Sequence, residues 1–368
     1  MDVTVAGFGD ELGPSKILWI RQPRAGLEAF VVVDNVACGP AIGGIRMAQD
    51  VTVNEVARLA RAMTLKNAAA GLPHGGGKAG IVGNPSLPRS QKETLVRAFA
   101  HAISEITEYI PGPDMGLNEE CMAWIKDEIG RAVGLPKVLG GIPLDEIGAT
   151  GFGLAIAAEV AAPQVRIDLR GARLAIQGFG AVGLHAARFL VARGARLVAA
   201  SDSRGAVLNP DGLSVEDLVA HKKKGQPLNS FNGGQPLVGD DLVGVDCDIW
   251  IPAARPDVLN ENNVARLKAR LVLQGANIPA TNGAEEWMHV KGILNIPDFI
   301  ANAGGVICAS VEYHGGTQTQ AMATIEDRIR TNTSAVLEKA RRQNCTPCQA
   351  AVGIARARVE EAMSYRRY

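Results

Sequence analysis

Three side chains in the first half of the chain are of the types that proton transfer on a small molecule requires: Lys66, Lys78 and Asp114. The lysines sit at either end of MTLKNAAAGLPHGGGKAG, residues 63–80, and Lys66 continues the apolar stripe of Val56, Leu59, Ala60 and Met63. A lysine on such a face is expensive to bury unless it is paired or faces a cavity. Two ammonium groups brought together and partly desolvated disfavour each other's charge. One can then act as a base near neutral pH while the other holds a carboxylate. The plainer alternative is that Lys66 extends its head to solvent and Gly75, Gly76 and Gly77 form only a tight turn. Asp114 follows Pro111-Gly112-Pro113, which should hold it in a fixed loop as a catalytic group or, more commonly for an aspartate after proline, as a turn former or N-cap.

A second group of residues points to a nucleotide. Arg173 to Gln177 reads as a buried strand, Gly178-Phe179-Gly180-Ala181-Val182-Gly183 as a GxGxxG turn, and the following residues to about Arg193 as a helix. The strand Leu197 to Ala200 then ends at Asp202, with Ser203 and Arg204 just beyond. Strand, glycine turn, helix and distal acid form the dinucleotide fingerprint: the glycines admit the pyrophosphate to the helix N-terminus, and Asp202 accepts ribose hydroxyls. A purely structural βαβ unit is the alternative. Further strands over 248–253, 271–274 and 292–296 place Ala253, Asn277 and Asn302 where ligands of open α/β sheets bind, although either asparagine also suits an ordinary turn.

The elements that must position these groups follow from periodicity. Thr52 and Glu55 have capping-box spacing before a helix. Strands are expected at Ile17 to Ile20 and at Ala29 to Val33, and Gly43 and Gly44 mark a bend or a close approach. A helix is expected from Arg89 to Ile106. The fold class is α/β in two domains separated by a cleft: a substrate domain from residues 1–146 plus 334–368, and a Rossmann-type nucleotide domain from 147–333.

Composition narrows the partners. The 368 residues carry 38 basic and 38 acidic side chains, so no polyanion such as nucleic acid is expected. No apolar run is long enough to span a membrane, and the six cysteines are read as reduced thiols of a soluble, cytoplasmic protein. Cys345 and Cys348 form a CxxC, but no further pair accompanies it. Thr346, Pro347 and Gln349 explain the segment as the start of a terminal helix, and no metal is expected.

The segments GPAIGGIRM, MTLKNAAAGLPHGGGKAG, PGPDMG, ATGFG, QGFGAVG, SDSRG, GAN and PDFIANAGGV, in this order, resemble the glutamate, leucine, phenylalanine and valine dehydrogenases over nearly the whole chain. In the first half the likeness is nearest to the leucine branch. The resemblance implies an NAD- or NADP-dependent oxidative deamination of an L-amino acid to a 2-oxo acid and ammonia, in a homo-oligomer. It implies that Lys66 binds the α-carboxylate, Lys78 activates water and Asp114 moves protons. Thr150 and Asn277 would contact the nicotinamide half of the cofactor, and Asn302 both substrate and nicotinamide. Gly43, Gly44, Met63, Ile42, Val306 and Ala309 would surround the substrate.

Two departures bear on the substrate. Glutamate-specific members carry a lysine where this chain has Ile42 and a hydroxyl residue where it has Ala309, so a neutral, apolar side chain is expected. Glu146 replaces an arginine of some glutamate enzymes. The alternatives are a glutamate enzyme with a rearranged anchor, a hydroxy-acid dehydrogenase and a non-catalytic dinucleotide sensor.

Overall fold

The computed structural model describes residues 9–366, which divide into two compact units. The first comprises residues up to 143 with 306–321 and 353 onward; the second comprises 144–305 and 322–352. The division assigns 306–321 to the first unit and 334–352 to the second, whereas the sequence reading placed all of 147–333 in the second and all of 334–368 in the first. A buried carboxylate ties this segment down: Glu312 accepts hydrogen bonds from the amides of Leu135 (3.1 Å) and Ile142 (2.8 Å).

The first unit is built on a five-stranded sheet in the order β1-β2-β4-β3-β5, from β1 (Lys16–Gln22), β2 (Leu27–Asn35), β3 (Ala41–Ala48), β4 (Gly75–Val82) and β5 (Tyr109–Pro113). Helix α1 (Val53–Ala69) covers one face, and α2 (Arg89–Ala102) and α3 (Glu119–Ile129) cover the other. Strand alternation makes this possible. Phe30 and Val32 of β2 join Val56 and Ala60 of α1, while Ala29, Val31 and Val33 join Phe99, Met122 and Ile125.

Gly75 opens β4, the centre of the sheet, and Gly43 and Gly44 lie inside β3, so these glycines serve close backbone approach and not the alternative of a tight turn. Two expectations are corrected here. Pro111, Gly112 and Pro113 belong to a strand, not a loop. It is an edge strand, where the missing proline N–H leaves the ladder intact. The helix after Arg89 ends at Ala102, not Ile106, because the chain turns to enter β5.

The second unit holds a seven-stranded sheet in the order β12-β11-β10-β6-β7-β8-β9. Its strands are β6 (Arg173–Gln177), β7 (Arg196–Asp202), β8 (Gly205–Leu208), β9 (Gln235–Leu237), β10 (Ile249–Pro252), β11 (Leu271–Leu273) and β12 (Leu294–Ile296). From β12 to β7 all neighbours are parallel, whereas β8 and β9 add antiparallel strands the sequence reading lacked. Ser203 and Arg204 are the two-residue turn of the β7–β8 hairpin. Flanking helices are α4 (Ala149–Ala161), α5 (Ala181–Val191), α6 (Val215–Lys223), α7 (Asn282–Val290) and α8 (Asp298–Ala301). Helices α9 (Gly304–Tyr313), α10 (Gln318–Gln343) and α11 (Pro347–Ser364) complete the chain. At the start of α11, Thr346 and Gln349 make both bonds of a capping box, each 3.1 Å. Among the described residues no helix is long and apolar enough to cross a membrane.

Candidate active site

The glycines of the first unit remove side chains where backbone meets backbone. A Cβ on Gly76 would lie 2.1 Å from the Thr64 amide of α1, and one on Gly43 would lie 1.7 Å from the Gly77 carbonyl. The Tyr109 ring occupies the place of a Gly77 side chain, and its hydroxyl donates to the Gly43 carbonyl at 2.9 Å. Asn67, Thr64 and Arg61 fix α1 against the sheet through Gly75 O (2.7 Å) and Asp34 (2.6 and 2.8 Å). Gly76 and Gly80 both face α1, so by alternation Lys78 projects to that side.

There Lys78, only 8% exposed, meets the carboxylate of Asp114, which stands one residue beyond β5, at 2.8 Å. Arg46 of β3 approaches the same oxygen, Asp114 Oδ2, through Nε at 3.2 Å, and its other arm pairs with Glu55. Burial pushes the Asp114 carboxyl up, but Lys78, the Met115 amide and Arg46 outweigh it and hold the group below its ordinary range. The structure adds a carboxylate partner for Lys78 that the sequence reading had not paired with it. Only half of the expected capping box at α1 forms: Thr52 Oγ1 accepts from the Glu55 amide at 3.2 Å, while the Glu55 carboxylate serves Arg46.

Gly44 adjoins this pair, and Gly43, Met63, Ile42, Ala309, Val306 and Lys66, also singled out from sequence, lie in the same unit. A Cβ on Gly44 would touch Asp114 Cβ at 2.8 Å, and one on Gly43 would reach Met63 Cγ at 3.5 Å. Ile42 packs with Ile110 and Val133, and Ala309 lies against them. Val306 is half-buried one turn before Ala309 on α9, and Lys66 is half-buried in the last turn of α1. Sequence reasoning quoted Arg46 without giving it a role and missed Tyr109, Ile110 and Val133. A charged residue within β3, opposite Gly80 of β4, was the available signal for Arg46.

The second unit assembles the nucleotide residues at the carboxyl ends of its parallel strands. Gly178 and Phe179 donate their amides to Ser201 O (3.1 and 2.7 Å), which brings the glycine turn beside Asp202. A Gly178 side chain would collide with Ala253 and Ala254, and a Gly183 side chain with the Gly178 carbonyl at 2.0 Å. Gly180, by contrast, has nothing within 4 Å of its Cβ position, and Ala181 beside it is exposed, with Val182 half-buried. The first turn of α5 is therefore open to an anion.

A cavity of about 940 Å³ is lined by Gln177, Gly178, Asp202, Ser203, Arg204 and Asn229, among others. Gln177 Oε1 is buried there with no hydrogen-bond partner among the described residues. The Asp202 carboxylate accepts the amides of Arg204 (2.9 Å) and Leu228 (3.2 Å), and the Arg204 guanidinium donates to Gly225 O at 2.9 Å. These groups fit a dinucleotide. Elsewhere, Asn302 Nδ2 donates to Asn277 Oδ1 (3.2 Å) and Ala276 O (3.2 Å), and Thr150 Oγ1 stands beside Gly305. Lys222, in the last turn of α6, donates to Phe179 O at 2.6 Å and braces the glycine turn. Among the described residues no group of three or more His, Cys, Asp or Glu could hold a metal ion.

A Rossmann-type unit with an open glycine turn, joined in one chain to a unit carrying a buried lysine–aspartate pair, defines a nucleotide-dependent oxidoreductase. Comparison with known proteins narrows this class. The profile of Glutamate/Leucine/Phenylalanine/Valine dehydrogenase matches residues 140–367, and that of Glu/Leu/Phe/Val dehydrogenase, dimerisation domain, matches residues 15–131. The chain belongs to this family, and is thus an amino-acid dehydrogenase acting on a CH–NH₂ group with NAD or NADP.

A glutamate dehydrogenase of Aeropyrum pernix is 38% identical over 82% of this chain and 77% of its own. Among solved structures, the hetero-hexameric glutamate dehydrogenase of Thermus thermophilus, in its Leu-bound form, superposes with a TM-score of 0.85 at 29% identity, covering 96% of this chain and 91% of that one. The L-tryptophan dehydrogenase of Nostoc punctiforme gives 0.75 at 26%, covering 96% and 98%.

Proposed function

We propose that this protein catalyses the reversible, NAD-linked oxidative deamination of an L-amino acid with a neutral, apolar side chain, yielding the 2-oxo acid and ammonia. The observation that carries the substrate reading is the cluster of Ile42, Ile110, Val133 and Ala309. A second carboxylate desolvated against these groups without a partner would cost several kcal/mol, about the transfer penalty of an unpaired polar group or more. Lys66 holds the α-carboxylate and orients Cα–H. The nicotinamide, when bound, accepts the hydride. Lys78 Nζ takes a proton from the water that adds to the resulting imino acid, and Asp114, already bonded to Lys78, carries protons to the departing amine. Thr150, Asn277 and Asn302 would hold the nicotinamide half of the cofactor, and Gly178 to Gly183 its pyrophosphate.

NAD is favoured because Asp202 lines the cavity with a negative charge that accepts ribose hydroxyls and repels a 2′-phosphate, while Arg204 is engaged with Gly225 O. The dimerisation-domain match supports assembly as a homo-oligomer, and the hetero-hexameric neighbour supports an oligomer without deciding whether its subunits are alike. Glutamate is the second reading, favoured by the relative named for it at 38% identity; its side-chain anchor would then lie away from Ile42 and Ala309. Specificity constants for leucine, valine, methionine, phenylalanine, tryptophan, alanine and glutamate, with each nucleotide, decide both points. A preference for glutamate overturns the apolar pocket, and a higher constant with NADP overturns the role of Asp202.

A further inference from the structure

The first unit contains a chain of alternating charges, Glu55–Arg46–Asp114–Lys78, in which each link is an ion pair. Two features set it apart from surface ion pairs. Both cations converge on one oxygen, Asp114 Oδ2, and the side chains of Arg46, Asp114 and Lys78 are 19, 20 and 9% exposed. The four groups come from four different elements. Glu55 sits in the first turn of α1, Arg46 within β3, Lys78 in the central strand β4 and Asp114 just after the edge strand β5.

We propose that Arg46, anchored by Glu55, is a positioning residue that fixes the Asp114 carboxylate beside Lys78 for proton transfer. The proposal rests on the deamination reading for the chemistry, but the geometry it invokes is independent of it. Asp114 lies past the end of its strand, beside Gly44, which offers no side chain to hold it. Lys78 alone is a single flexible contact whose own proton must leave and return in each turnover. A guanidinium is permanently charged and presents a rigid fork, so one arm can grip Asp114 while the other is held by Glu55. Arg46 therefore keeps the carboxylate oriented whatever the protonation state of Lys78.

The groups that face Asp114 are Lys78 from β4, Arg46 from β3 and Tyr109 from β5. Removing Arg46 leaves burial less opposed, so the Asp114 titration moves upward. The direct test is ¹³C NMR titration of aspartate carboxyls, with the Asp114 signal assigned by its loss in Asp114→Asn; it needs no turnover. In Arg46→Met the Asp114 pKa should rise by about one unit. The acid limb of the kcat profile should rise with it, while the amino-acid KM at the plateau stays within about twofold.

Arg46→Lys keeps the charge and loses the fork, and should return the limb toward the parent position without restoring the full plateau rate. Glu55→Gln leaves the charge but frees Arg46, and should lower kcat several-fold without an upward shift of the limb. An unchanged Asp114 titration in a folded Arg46→Met protein overturns the proposal. So does a parent-like kcat in Glu55→Gln, the variant that decides the matter if Arg46→Met does not fold. If the parent deaminates no amino acid, the functional reading fails, and the titration still decides the placement of Asp114.

Discussion

His74 immediately precedes the glycine strand that carries Lys78, and its titration should make the protein lose stability steeply on mild acidification. The residue is 1% exposed, and its Nδ1 stands 3.2 Å from the Pro40 carbonyl. A carbonyl only accepts, so the neutral ring carries its proton on Nδ1. Nε2 is then a buried acceptor with no partner among the described residues, lodged with the rings of Tyr313 and His314 at 5.7 and 5.3 Å. Protonating Nε2 would bury a charged donor with nothing to receive it. Burial lowers the pKa, His314 adds to the effect, and the Pro40 bond opposes it, leaving a value of about 4 against the model-compound 6.5.

The folded state thus binds fewer protons than the unfolded chain between pH 6.5 and 4, and stability falls as pH falls through that window. At about 1.4 kcal/mol per pKa unit, the full loss is about 3 kcal/mol, of which about 2 has accrued at pH 5. Urea unfolding followed by circular dichroism from pH 8 to pH 5, at fixed protein concentration and ionic strength, measures it. His74→Phe should be flatter over this range by about 2 kcal/mol, whatever the offset caused by losing the Pro40 bond. If parent and variant have parallel pH profiles, the buried neutral histidine is refuted.

Lys78→Ala should reduce turnover by several orders of magnitude while cofactor affinity, read by nucleotide fluorescence, stays within a few-fold; comparable turnover would end the assignment of a base role. Gly43→Ala places a Cβ 1.7 Å from the Gly77 carbonyl and should destabilise the β3–β4 pairing by several kcal/mol, about the upper range for single substitutions, with a melting temperature close to the parent's arguing against the observed packing. Ile42→Lys with Ala309→Ser should raise the glutamate-to-leucine ratio of specificity constants at least tenfold, because a charge partner then offsets desolvation. An unchanged ratio would mean that these positions do not read the side chain.

The nucleotide unit was the more legible part of the sequence because its fingerprint is local. A tight turn, a helix N-terminus and an acid at the end of the next strand follow one another along the chain, and the structure sets Gly178 and Phe179 against Ser201, one residue before Asp202. What that reading lacked was the β8–β9 edge. Its strands are short, and the turn at Ser203-Arg204 has none of the usual glycine or asparagine signals at its centre. The capping box of α11 was legible for the same reason as the fingerprint, since all its partners lie within four residues.

The first unit was legible in its residue types and not in their arrangement. Lys66, Lys78 and Asp114 stand out as expensive or punctuated positions, but glycines that make a turn and glycines that let α1 and Tyr109 press against a central strand look alike in a linear sequence. The sequence by itself determined an α/β amino-acid dehydrogenase with a dinucleotide fold, and it marked Lys66, Lys78 and Asp114 as candidates for the chemistry. Only the tertiary structure decided that Lys78 faces a carboxylate, that Arg46 and Glu55 hold that carboxylate, and that Ile42 meets Ile110, Val133 and Ala309. The reason is physical. Ion-pair and packing partners are selected by distances in the folded unit, between residues from nine to hundreds of positions apart, and those distances exist only once the strands have paired.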